Sequence, residues 1–236
     1  MSDACATCSG ECCYDVIVRV TGYDAWRIKR AQALDFGQFL TIGPDTPAGP
    51  GAFTLDGERR ALYLGKNAAN QRACAFLMHV PDGIRRCGIY AERPRVCAVY
   101  PMTFTNGSVA LRSDVRCEAS NWNMATITYP YWRRNLLEHM FESHLYGLVA
   151  EHWNRRSANG GTLPQYYAFV ERCFDTIDAR RSEIGEEAFD DLMLHWQQAI
   201  DEDATARVET FLADVDRLCA AQTSTTAPAA TTAGPA

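Results

Sequence analysis

The sequence predicts an α+β protein: a cysteine-rich metal-binding front half with a small β-sheet, followed by a mainly helical C-terminal bundle. Three observations carry this expectation. Eight of the ten cysteines fall in the first half of the 236 residues. Short β-branched runs are confined to that half. From Pro130 onward, apolar residues recur at helical spacing instead. The chain therefore divides into 1–129, a cysteine-cluster metal-binding domain, 130–222, a helical bundle region, and 223–236. That last stretch is rich in Thr, Ala and Pro without large apolar residues, a composition that predicts disorder.

Taken in order, Tyr14–Val20 reads as a strand. Thr21 and Asp24 are candidate caps for a helix from about Tyr23 to Leu34, with Trp26, Ile28 and Ala31 on its apolar side. Gly43–Gly51, with three prolines, reads as a loop. Short strands are expected at Arg60–Leu64, Ala73–Met78 and Ser108–Leu111. In the second half, Leu137, Met140, Phe141, His144, Leu148 and His152 share about one face of a helix over Tyr131–Arg156. Asn159-Gly160-Gly161 ends it, and Thr162 with Pro164 begins the next, which carries Tyr166, Val170, Cys173, Phe174 and Ile177. Phe189, Leu192, Met193, Trp196 and Ile200 mark a third helix, and Val208, Phe211, Leu212, Val215, Leu218 and Cys219 a fourth.

The start, Met1-Ser2-Asp3-Ala4-Cys5, has neither the basic nor the apolar region of a secretory signal, and no run of eighteen apolar residues occurs. The expected location is the cytoplasm, with no membrane span. In that reducing setting clustered cysteines bind metal or do redox work more often than they form structural disulfides. The adjacent pair Cys12-Cys13 points the same way, since neighbours rarely bridge each other. A formal charge of -6 and a pI near 5.4 argue against a general nucleic-acid binder. Four thiolates around one divalent zinc would add about two more negative charges locally, so arginines are expected nearby.

The cysteines form two blocks. Cys5, Cys8, Cys12 and Cys13 spell C-x2-C-x3-C-C; Cys74, Cys87, Cys97 and Cys117 are spread out. Two-residue spacing lets Cys5 and Cys8 reach one ion around a tight turn. Soft thiolates suit zinc or an iron–sulfur cluster far better than calcium or magnesium. The later four gain meaning only if folding brings them to the first block. That closure costs about 0.6 kcal/mol per doubling of loop length, against metal binding on the order of 10 kcal/mol. Pro94 suits a first helical position, which would place Cys97 in an early helical turn, where amide dipoles together with Arg93 and Arg95 favour a thiolate.

These residues, Cys5-x2-Cys8-x3-Cys12-Cys13, then Cys74-Ala-Phe76-Leu77, then Cys87-Gly-Ile89-Tyr90-Ala-Glu92-Arg93-Pro94-Arg-Val-Cys97-Ala-Val-Tyr100-Pro101, resemble the YkgJ-type cysteine-cluster family. The resemblance covers roughly residues 5–117 and implies a zinc- or iron-chelating domain. It implies Cys5, Cys8, Cys12, Cys13, Cys74, Cys87 and Cys97 as metal ligands, with Cys117 as an eighth. The longer segment Met78–Gly83 is a departure that changes how Cys87 is delivered. Because the family includes flagellin lysine-N-methylases, the resemblance also implies a methyl-transfer reading. There an iron–sulfur cluster, S-adenosylmethionine and a flagellin-like protein substrate would act together. No G-x-G-x-x-G after a strand and no C-x3-C-x2-C spacing is present to mark a methyl-donor or radical site. The alternative is a non-catalytic domain closed by four thiolates per site that stabilises structure, binds a partner or delivers metal.

Other candidates weigh toward ordinary roles. His79 stands near the second block and could ligate, but reads better as a loop histidine. His144 and His152 read as core or interface groups, and Cys173 and Cys219 as small buried hydrophobes. Glu186, Glu187, Asp190 and Asp191 read as a helix start and solvated face.

Overall fold

A computed structural model describes residues 10–46, 49, 51–79, 85–116, 122, 128–156, 161–198 and 202–224. Its element order is α+β: short antiparallel strands dominate the front half and four long helices the back. A 3-10 turn over Glu11–Cys13 leads to β1 (Arg19–Val20). The strand expected over Tyr14–Val20 is thus cut to two residues. Asp15 adopts φ 52°, and Tyr14 makes only an isolated antiparallel bridge to Ala73. Helix α1 (Gly22–Gln32) begins where expected, with Thr21 and Asp24 forming a reciprocal capping box. One turn, α2 (Phe36–Phe39), feeds β2 (Leu40–Pro44), so Gly43 and Pro44 close a strand instead of opening a loop.

Strands β3 (Phe53–Leu55) and β4 (Glu58–Leu64) form a hairpin around Asp56-Gly57, both at positive φ, the turn that matches strand twist. β4 is the hub. β2 pairs along one edge, while β1 and β3 pair with successive stretches of the other. Two further hairpins follow. The first joins β5 (Leu77–His79) to β6 (Arg85–Cys87). The short helix α3 (Arg95–Val99) then leads to β7 (Met102–Thr105) and β8 (Ser108–Leu111), joined through Asn106-Gly107, again at positive φ.

The bundle comprises α4 (Tyr129–Arg156), α5 (Leu163–Ile184), α6 (Glu186–Gln198) and α7 (Glu202–Ser224). Thr162 caps α5 reciprocally with Gln165, and Pro164 sits in its first turn. On α4 the buried stripe is Leu137, Phe141, Leu145, Val149 and Trp153, rotated from the expected one, so Met140 and His144 face outward. Trp153 anchors this face because it meets both the sheet and α5, and Tyr146 meets α5 through Tyr166. The Trp153 indole donates to the Thr54 carbonyl at 2.9 Å and its ring packs on Tyr166. His152 is buried with its Nε2 2.7 Å from Asp216, a satisfied core histidine. Cys173 and Cys219 lie buried against one another between α5 and α7.

One large apolar core runs from α1 and the main sheet into α4–α7, with Phe53 stacked on Tyr166 at 3.8 Å. A smaller one gathers Val99, Met102, Val109, Trp122, Trp132 and Leu136. Among the described residues no helix is long and apolar enough to cross a membrane.

Candidate metal centre

Three local devices bring separate segments to one place. The first is the turn Gly10–Cys13, closed by the Cys13 amide donating to the Gly10 carbonyl at 2.9 Å. Gly10 takes φ +75°, and a Cβ there would press on Arg85 and Leu77 at 3.0 and 3.4 Å, so the turn packs directly on the β5–β6 hairpin. The second is a stitch: the Cys74 amide donates to the Cys13 carbonyl at 2.8 Å and the Asp15 amide to the Arg72 carbonyl at 2.9 Å. Cys74 also bridges Lys66, just past the end of β4. The third is the hairpin itself, where Leu77 pairs with Cys87 and the Gly88 amide donates to the Phe76 carbonyl at 2.8 Å.

Cys12, Cys74 and Cys87 all stand within electrostatic reach of the Cys97 sulfur, and Cys74 within reach of Cys87. Cys74 is buried and Cys12, Cys13, Cys87 and Cys97 are half-buried. The residual exposure of Cys97 belongs to the residue as a whole; its thiol sits deep among protein atoms, and those surroundings govern its ionisation. Burial, then the neighbouring Cys74 and Cys12 sulfurs, push the Cys97 thiol well above the ordinary range. Burial likewise raises Cys74 and Cys87. Opposing this, the Phe76 amide donates to the Cys74 sulfur and the Ile89 amide to the Cys87 sulfur, each from two residues on. Lys66 and Arg93 add positive charge near Cys74 and Cys87 respectively.

Two expectations are corrected here. Pro94 is the N-cap of α3, not its first helical residue, and the helix has only five residues, so burial and like charge outweigh any dipole at Cys97. Arg93 serves Cys87 and stacks over Tyr90 at 3.8 Å, whereas Arg95 turns away to Glu138 at 2.7 Å and Glu142 at 3.1 Å. His79 lies exposed at the strand end, 3.4 Å from the Tyr14 hydroxyl. Cys5, Cys8 and Cys117 lie outside the described residues.

Among the described residues no three Cys, His, Asp or Glu side chains stand close enough to clasp an ion between them, and no disulfide joins the described cysteines. Drawing buried thiolates closer costs Coulomb repulsion, which a cation at their centre offsets. The donor set fits zinc or iron: soft sulfurs from four chain segments, two of them already accepting backbone N–H bonds, the outer-sphere support that thiolate centres use.

Sequence reasoning missed the ion network beside this place. Asp24 is 1% exposed and Glu142 5%. Asp24 receives hydrogen bonds from the Arg27 side chain at 2.9 Å and the Arg95 amide at 2.8 Å. Burial, outweighing the attraction of Arg95 and Arg27, raises the Glu142 carboxyl from 4.5 to about 7. A carboxyl raised on folding keeps its proton in the folded chain after the unfolded chain has lost it. Its contribution is therefore full below pH 4.5 and is lost as pH rises to about 7. Glu142→Gln is expected to flatten that decline, worth on the order of 3 kcal/mol. Urea melts of both proteins at pH 5, 6 and 7 check it, and identical slopes would refute the assignment.

The fold thus brings cysteines from four chain segments into one cysteine-rich region. The family model CxxCxxCC, "Putative zinc- or iron-chelating domain", matches residues 4–122, and the chain belongs to that family. No curated protein and no solved structure matches the chain.

Proposed function

We propose that this protein holds zinc or iron, the latter as an iron–sulfur cluster, through thiolates drawn from Cys5, Cys8, Cys12, Cys13, Cys74, Cys87, Cys97 and Cys117. The single observation that supports it best is the grouping of Cys12, Cys74 and Cys87 about the deep Cys97 thiol, from segments up to 85 positions apart in sequence (97 minus 12). A bound zinc or cluster supplies the positive charge that makes four neighbouring thiolates affordable in a buried place. The rest is done by the chain: the Phe76 and Ile89 amides orient two sulfurs. Free thiols of this kind need a reducing compartment, consistent with the cytoplasmic expectation.

Metal analysis of anaerobically purified protein tests the proposal. Brown colour with broad absorption near roughly 400 nm and matching iron and sulfide would mean a cluster; a colourless protein with stoichiometric zinc would mean a zinc centre. Because the thiols are raised by burial, they carry protons at neutral pH and must release them to bind. Affinity for zinc is therefore expected to fall as pH falls, with proton release measurable in weakly buffered solution. A protein that contains neither metal and stays folded and indifferent when either is supplied would overturn the proposal. Methyl transfer forms a second arm: label from S-adenosylmethionine appearing in lysine of a flagellin-like protein would add an enzyme to the centre.

A further inference from the structure

Helix α3, which carries Cys97, is too short to stand alone; isolated helices of that length do not form in water. Its N-cap is Pro94, whose side chain can neither donate nor accept, so the first turn has no cap of its own. Within the turn, the Cys97 and Ala98 amides both donate to the Pro94 carbonyl at 2.9 Å. The Arg95 amide is satisfied from elsewhere: Asp24 Oδ1, on α1, accepts it at 2.8 Å across 71 positions. That carboxylate is itself immobilised. Its Oδ2 accepts from the Thr21 hydroxyl at 2.9 Å and the Thr21 amide at 3.2 Å, and the Arg27 guanidinium grips Oδ1 at 2.9 Å. The Arg95 side chain then fastens the same turn to Glu138 and Glu142 on α4.

We infer that Asp24 is a positioning residue for the metal centre: by capping α3 from α1, it sets where the Cys97 thiolate stands. The inference rests on the metal-binding reading above. Its logic is geometric, since the Asp24 charge acts against the Cys97 thiolate and cannot be there to activate it. An uncharged acceptor of the same shape should therefore serve as well. Only loss of the acceptor should loosen the site.

Zinc titration of the metal-free full chain against a chromophoric chelator, with cobalt(II)–thiolate absorption counting bound sulfurs, tests this. Asp24→Ala is expected to weaken zinc about 10- to 100-fold, the usual range for an outer-sphere partner, and to dim the cobalt–thiolate band. Asp24→Asn keeps an acceptor oxygen and should restore affinity to within about threefold of wild type. Thr21→Ala removes one hydroxyl anchor, but the residue-21 amide and Arg27 still hold the Asp24 carboxylate on the Arg95 amide, so it should likewise stay within about threefold. Should Asp24→Ala fail to fold, Arg95→Pro against Arg95→Ala isolates the same bond. Beyond the side-chain loss of alanine, proline removes the amide donor, and the φ its ring fixes suits a first helical position after the extended Pro94, so a tenfold or greater gap between the two is expected. If Asp24→Ala and Thr21→Ala weaken zinc equally, or Arg95→Pro binds like Arg95→Ala, this inference fails alone. If the wild-type chain binds neither zinc nor cobalt, the metal reading fails and takes the inference with it.

Discussion

Replacing Cys97 with serine is expected to abolish tight metal binding and to lower the stability of the metal-loaded chain by several kcal/mol. Cys97 is the one described thiol that feels Cys12, Cys74 and Cys87 together, so its loss removes the sulfur the other three have in common. A serine hydroxyl is a hard, protonated donor and cannot replace a thiolate for zinc or iron. Metal that binds only the folded chain adds RT ln(1 + [L]/Kd), about 4 kcal/mol at a thousandfold excess over Kd, and structural zinc sites reach on the order of 10 kcal/mol. The two proteins compared without metal should differ far less, because Cys97 stands outside both apolar clusters. Denaturation midpoints with and without added zinc, alongside metal content, measure both quantities. A serine variant that keeps full metal and an unchanged midpoint would show the centre to lie elsewhere.

The second large effect concerns the main core. Gly51 has φ +74°, a conformation that costs an L-residue about 1–2 kcal/mol. A Cβ there would also overlap the Cδ1–Cε1 edge of the Tyr146 ring. That ring cannot retreat. Its hydroxyl is 2.6 Å from the Tyr166 hydroxyl, and Tyr166 is stacked on Phe53. Overpacking adds about 1–3 kcal/mol, so Gly51→Ala should destabilise the chain by roughly 2–5 kcal/mol in urea melts. Gly57→Ala is the control, with φ +77° and no atom near its Cβ position; it should show the backbone penalty alone. Equal losses for the two would mean that Tyr146 can move aside.

Elements whose determinants are local were legible in the sequence. The Thr21–Asp24 capping box, the Thr162–Pro164 start and the apolar stripes of α5 and α7 stand where the residues place them. Asp56-Gly57 and Asn106-Gly107 carried a hairpin signal that would have found β3 and β7. Strand β2 had no such mark, because Gly43 and Pro44 read as loop, yet β4 supplies their partners. The same division runs through the site. The two-residue spacing and sulfur chemistry were visible, but not that Cys74 would be stitched to Cys13. Nor could spacing show that Asp24, legible as a cap of its own helix, would also hold Arg95. Contacts across 60 or 70 positions depend on how sheet and helices pack, and no local pattern encodes that.

Helix α4 has 28 residues and so runs about 42 Å. Its first turns place Trp132 and Leu136 among Val99, Met102 and Val109, and its later turns place Phe141 through Trp153 in the larger cluster. The same rod therefore spans both apolar regions with no break between them. One continuous helix thus ties the packing beside Val99, two residues beyond Cys97, to that of the far end of the bundle.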